Sequence, residues 1–168
     1  MANILEFTDL TGTAQLQKDN STVKKFDAIR DEKEASFLAQ ILGAELADLF
    51  YANLTAQSPT TLDPRFQNIY DAFRYDYSCL VIESFGLKSI MMFNVWFYFA
   101  RDNNIVIATG GNFAGKSENA DQAADPANFA KNYNKCIKSA QAIQQYICEN
   151  STDYPEYNGQ YLSLMSIF

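Results

Sequence analysis

Residues 110–117 read Gly110-Gly111-Asn112-Phe113-Ala114-Gly115-Lys116-Ser117, a full match to the phosphate-binding pattern G-x-x-x-x-G-K-[ST]. An apolar run, Ile105-Val106-Ile107-Ala108-Thr109, stands directly before it, where the strand of such a loop belongs. The chemistry of the pattern is well defined. Backbone N–H groups cradle phosphates, the lysine reaches the terminal phosphates and the serine hydroxyl binds Mg²⁺. A helix must start inside the motif, so that its free N–H groups and positive dipole end face the anion.

The continuation, Glu118-Asn119-Ala120-Asp121-Gln122-Ala123-Ala124-Asp125-Pro126, is poorly suited to that helix. It offers no large apolar side chain to pack on a sheet, and Pro126 blocks helical continuation from Asp125. Glu118 and Asp121 would repel a bound polyphosphate. A P-loop domain also needs several parallel strands joined by crossover helices, and this chain offers one convincing strand candidate. The octet therefore reads as a Gly-rich hairpin or loop in which glycine supplies positive φ. For the function of the chain, the alternatives are a generic helical protein-interaction module and nucleotide binding through Gly110–Ser117.

Other candidate chemistry is sparse. Histidine is absent, which removes the commonest general base and metal ligand. Cys79, Cys136 and Cys148 form no C-x-x-C and read as small buried hydrophobes in a reduced, intracellular compartment. Asp71 with Tyr75, and Glu45 with Asp48, share helix faces by spacing, but such charges are usually solvated. No catalytic, cofactor-binding or metal-binding residue is assigned. A net charge of −7 and a pI near 4.5, with no basic stretch longer than Lys24-Lys25, argue against nucleic-acid binding. Met1-Ala2-Asn3-Ile4-Leu5-Glu6 does not resemble a secretion signal, so the three N-x-[ST] triplets at Asn20, Asn53 and Asn150 read as chance matches. The most apolar stretch, Ser89 to Ala100, contains Asn94 and falls short of the about 20 residues that span a bilayer. The expectation is a soluble protein with no membrane partner.

The elements that must position these residues are mostly helical. Apolar residues recur at helical spacing from Val23 to Asn53, with Asn20 or Ser21 as the cap and Gly43 as a close contact or a break. Pro59 and Pro64 mark a connection. A second helix is predicted to carry Phe66, Ile69, Tyr70, Phe73, Tyr77, Leu80 and Val81, and Gly86 separates it from a third. That third helix, through Met91, Val95 and Phe99, is apolar nearly all round and so belongs at the centre. After the Ile105–Thr109 strand and the Gly-rich loop, Asp125-Pro126 opens a final helix. Phe129, Tyr133, Ile137, Ala140, Ile143 and Ile147 form its apolar face, and Lys131, Lys135, Lys138 and Gln145 its polar face. The fold class is mainly α: a small bundle of four to five helices with a short strand or hairpin before the last. Residues 1–160 read as one domain. Residues 161–168 read as an apolar tail that either folds back or docks onto a neighbour.

The run Ala39-Gln40-Ile41-Leu42-Gly43-Ala44-Glu45-Leu46-Ala47-Asp48-Leu49 resembles a helical segment of tailed-phage head–tail connector proteins. The middle part, Ile105–Gly111 with Lys116 and Glu118, and the end, Glu149-Asn150 followed by Tyr154-Pro155-Glu156-Tyr157, are similar to the same family. With Lys88-Ser89-Ile90 opening an aromatic helix, the form is most similar to adaptor or ring proteins of Bacteroides-infecting, crAss-like phages. The resemblance covers about residues 23–157. It implies a structural virion protein, made in the host cytoplasm and placed at the portal vertex. Neighbouring copies would form a ring, usually a dodecamer, beneath the portal protein, and tail or further ring proteins would bind it. Genome DNA would pass through the channel without specific binding, which the acidic charge favours. In this reading the octet is the family's turn. Deleting Tyr161–Phe168 is expected to abolish ring assembly while leaving the helical core folded, as checked by sedimentation and circular dichroism.

Overall fold

The structure, a computed structural model, describes residues 3–11, 14, 16, 18–56, 62–77, 80–103, 105–108, 111–114 and 126–164. Among the described residues five α-helices carry the fold, within the four to five that the sequence predicts: α1 (Asn20–Leu42), α2 (Ala44–Ala56), α3 (Pro64–Tyr70), α4 (Gly86–Asn103) and α5 (Pro126–Glu149). Two antiparallel hairpins join them, β1 (Phe73–Tyr77) with β2 (Leu80–Ser84) and β3 (Ile105–Ala108) with β4 (Gly111–Ala114).

Asp19 caps α1, one residue before the expected position. Its carboxylate accepts from the Ser21 and Thr22 N–H groups at 2.9 Å each, and Asn20 is already the first helical residue. Gly43 does end the helix, at φ 83° and ψ 159°, a region open essentially to glycine alone. Asp63 and Pro64 start α3 as an N-cap and first-turn pair.

The second predicted helix is half wrong. It stops at Tyr70, and Phe73, Tyr77, Leu80 and Val81 lie in the first hairpin. Phe73-Arg74-Tyr75-Asp76-Tyr77 alternates aromatic and charged residues, the period of a half-buried strand, and aromatic residues favour a pleated surface. On β2, Ile82 and Ser84 are buried while Val81 and Glu83 face out. Ser139 of α5 pins this hairpin. Its hydroxyl lies 2.9 Å from the Ser84 Oγ and accepts the Phe85 N–H at 2.8 Å. Phe73 and Tyr75 close the contact against the Tyr146 ring, with centroids 4.9 and 5.2 Å away.

Helix α4 takes the central place its composition predicts. Every residue from Gly86 to Ala100 is buried or half-buried, including Asn94, and the helix packs on α1, α3 and α5. The main core gathers Leu38, Ile41, Leu46, Phe50, Ile69, Leu87, Ile90, Met91, Ile137, Ile143 and Ile147. A second cluster, Leu5, Leu10, Ala14, Phe26, Val95 and Phe99, lies under the N-terminal segment. Of the predicted α5 face, Tyr133 is half-buried and Ile137, Ala140, Ile143 and Ile147 are buried, while the side chain of Phe129 lies outside the described residues. Lys131, Lys135 and Lys138 are exposed and Gln145 is half-buried.

The C-terminal segment folds back. After α5 it turns through Tyr154, whose hydroxyl donates to the Arg65 carbonyl at 2.6 Å, and then crosses the α1–α2 junction. The Asn158 N–H reaches the Leu42 carbonyl at 3.3 Å and the Gln160 N–H reaches the Gln40 carbonyl at 2.8 Å. Leu162 is buried, and Tyr161 beside it is 85% exposed. Residues 165–168 lie outside the described residues. A Cβ on Gly43 would stand 2.7 Å from the Asn158 backbone, and one on Gly159 would stand 2.2 Å from the Ile41 carbonyl oxygen. Gly43→Ala is therefore expected to cost about 3 kcal/mol through backbone strain and displacement of the crossing. Urea unfolding checks this, and a loss below about 1 kcal/mol would show that the crossing yields easily.

Candidate functional site

The described half of the octet is a hairpin arm. Gly111-Asn112-Phe113-Ala114 forms β4, paired antiparallel with β3 in the register Ile105↔Ala114 to Ala108↔Gly111. In a phosphate-binding loop the chain leaves the strand, wraps the anion and enters a helix. Here Gly111–Ala114 instead pairs antiparallel with β3. Gly115, Lys116 and Ser117 lie outside the described residues, as does the carboxylate-rich stretch up to Asp125.

The other pairs singled out by spacing separate. Asp71 and Tyr75 share no helix face, because α3 ends at Tyr70 and Tyr75 belongs to β1. Glu45 and Asp48 do share the exposed face of α2, with Leu49 and Ala52 completing the stripe. Cys136 is buried, its thiol pushed up to about 12 by desolvation, and it lies 3.4 Å from the Ile90 carbonyl. Cys148 is exposed, so the expectation of buried cysteines fails there; it falls just past Ile147, beyond the apolar stripe. Cys79 lies outside the described residues. Among the described residues no group of three or more Cys, Asp or Glu side chains converges as a metal site would require.

Two features carry more. The first is a shallow groove of about 560 Å³ between the first hairpin and α5, lined by Arg74, Val81, Ile82, Glu83, Lys138, Gln141, Ala142 and Gln145. Arg74 is bound to Glu83 at 3.0 Å and lies 3.7 Å from Asp76, so its charge is largely compensated. Lys138 is not, and Lys135 and Lys131 continue the line up the same helix. None of these lysines carries an ion pair among the described residues. Val81, on the groove wall, is 47% exposed. A groove this open suits a macromolecular surface better than a small substrate, which needs most of its surface enclosed.

The second is Glu34, 4% exposed on the buried stripe of α1 between Arg30 and Phe37. Its two oxygens accept the Ile4 N–H at 2.8 Å and the Leu5 N–H at 3.1 Å, and the Tyr51 hydroxyl donates to it at 3.3 Å. The carboxylate holds the extended N-terminal piece against α1 and α2, while Asp9 of the following turn pairs with Lys88 of α4 at 2.7 Å. The Glu34 anchor was not legible in the sequence, although an acid at helical spacing from Phe26, Phe37 and Ile41 was the available signal.

Comparison with protein-family models, curated proteins and solved structures finds no match. Glu34 supplies a test of the N-terminal anchor. Desolvation raises its pKa, against the opposing pull of the Ile4 and Leu5 N–H groups, the Tyr51 hydroxyl and Arg30. A carboxyl raised in the folded state contributes stability that is complete below its unfolded pKa, near 4.3, and is lost as pH climbs through the folded value. The stability of the wild type relative to Glu34→Gln is thus expected to fall from about pH 4 toward neutrality. Urea titrations across that range check it, and a pH-independent difference would refute the buried-carboxylate account.

Proposed function

We propose that this chain is a structural virion protein: a head–tail connector whose copies form a ring under the portal, extend the DNA channel and join capsid to tail. One observation carries the reading. The Ala39–Leu49 run that resembles the family is crossed in space by the residues directly after the other matched motif, Tyr154-Pro155-Glu156-Tyr157, more than a hundred residues later in the chain. Asn158 and Gln160 hydrogen-bond the last turn of α1, and Gln144 bridges both, donating to the Ile41 carbonyl at 3.0 Å and the Gln160 carbonyl at 2.8 Å. The Ala39–Leu49 run and the chain that leaves the Tyr154–Tyr157 turn are thus held in one structural unit.

Surface chemistry favours the same role. The net charge of −7 would line a channel that does not grip DNA phosphates. The long α1 and α5 supply broad faces for neighbours. The burial of Leu162, whose carbonyl accepts from Gln141 at 2.8 Å, alters the tail expectation. Deletion from Tyr161 removes a core residue, so truncation after Leu164 is the cleaner probe of a docking arm.

The test is native mass spectrometry and negative-stain imaging of the purified chain, with and without Mg²⁺-ATP, together with a search for the chain in purified particles of its phage. Closed rings with a central hole and recovery in particles are expected. A nucleotide-sized mass increase lost in Lys116→Ala would overturn the reading and make the octet a true phosphate-binding loop.

A further inference from the structure

We infer that the exposed ridge of α2 on one copy seats in the groove between the first hairpin and α5 of the next copy, a head-to-tail contact between two different faces. The ridge consists of Glu45, Asp48, Leu49 and Ala52, which fall at i, i+3, i+4 and i+7 and are all exposed. Neither acid has an ion pair among the described residues. Leu49 is 38% exposed between them and the flanking alanines.

The groove presents the complement. Lys138 lines it and Lys135 stands one turn away, both exposed. Lys135–Lys138 and Glu45–Asp48 have the same separation of three residues, about 4.5 Å along a helix axis, so two pairings can form together. Val81 offers Leu49 an apolar neighbour, and the small Ala142 leaves room beside it for the Leu49 side chain. Glu83, the one acid on the groove wall, is already engaged by Arg74. In a chain of net charge −7, uncompensated cations beside an open groove call for an acidic occupant, and the chain carries one of matching pitch.

Such a contact is heterologous. Repeated from copy to copy, it closes into a ring if the rotation allows and otherwise grows as a filament. The contact therefore deepens the connector reading, and closure of the ring rests on that reading. Two variants of the full chain test it by sedimentation velocity at low and high salt: Glu45→Lys with Asp48→Lys, and Lys135→Glu with Lys138→Glu. The wild type is expected to associate with concentration, and less so at high salt. Each variant alone should associate at least ~tenfold more weakly, because two like charges then face each other. An equimolar mixture of the two variants should recover association, since the basic ridge of one fits the acidic groove of the other and the reverse pairing also holds. Misfolding cannot produce that recovery.

Wild-type association unchanged in both variants would overturn the contact and leave the ring reading to its own test. A wild type that stays monomeric at every concentration would likewise overturn the contact. Association that follows the charges but ends in open filaments or dimers would sustain the contact and count against the ring.

Discussion

The C-terminal turn of α1 is the constraint on which the rest of the structure depends. A helix ends with four carbonyls lacking intrahelical partners, and leaving them unpaired in a core is costly. Each of the four here has a donor. Ala39 is bonded by the Gly43 N–H at 2.9 Å, Gln40 by the Gln160 N–H, Ile41 by the Gln144 side chain and Leu42 by the Asn158 N–H. Three of these four donors come from α5 and the segment after it. The helix can therefore stop in the middle of the molecule only because the far end of the chain returns to it. Glycine at 43 and 159 lets the two backbones approach.

Around that junction, apolar packing supplies adhesion and a few polar contacts supply position. Helix α4 is buried on nearly every side, so hydrophobicity alone would accept several rotations about its axis. The Ser84–Ser139 pair, the Asp9–Lys88 ion pair and the Glu34 anchor each join segments distant in sequence at one register. Because an unpaired buried donor or carboxylate is expensive, the Ser139 and Glu34 contacts discriminate between arrangements that bury similar apolar area.

Charge is mixed along α1 but divided between α2 and α5. Acids occupy the outer ridge of α2, lysines the outer line of α5, and a shallow groove runs beside the lysines. This distribution bears on assembly more directly than on chemistry, because an acidic ridge and a lysine-lined groove are complementary in charge. The described part of the phosphate-loop pattern adds a hairpin arm rather than a helix entrance.

Helix existence, the break at Gly43, the central α4 and the polar line of α5 were all determined by the sequence, because periodicity and caps are local properties. The first hairpin was not read correctly. Phe73, Tyr77 and Leu80 fit a helical spacing as well as an alternating one, and the Tyr146 and Ser139 contacts that favour the strand come from α5. The octet shows the same limit, since eight residues can match a phosphate loop while half of them pair with the strand before it. The cysteines divided by one position in a helical turn. The Glu34 anchor, the return of the tail over α1 and the groove beside Lys138 were decided by tertiary structure alone. Each joins segments far apart in the chain, and no local pattern encodes which distant donor will meet an orphaned carbonyl or a buried acid.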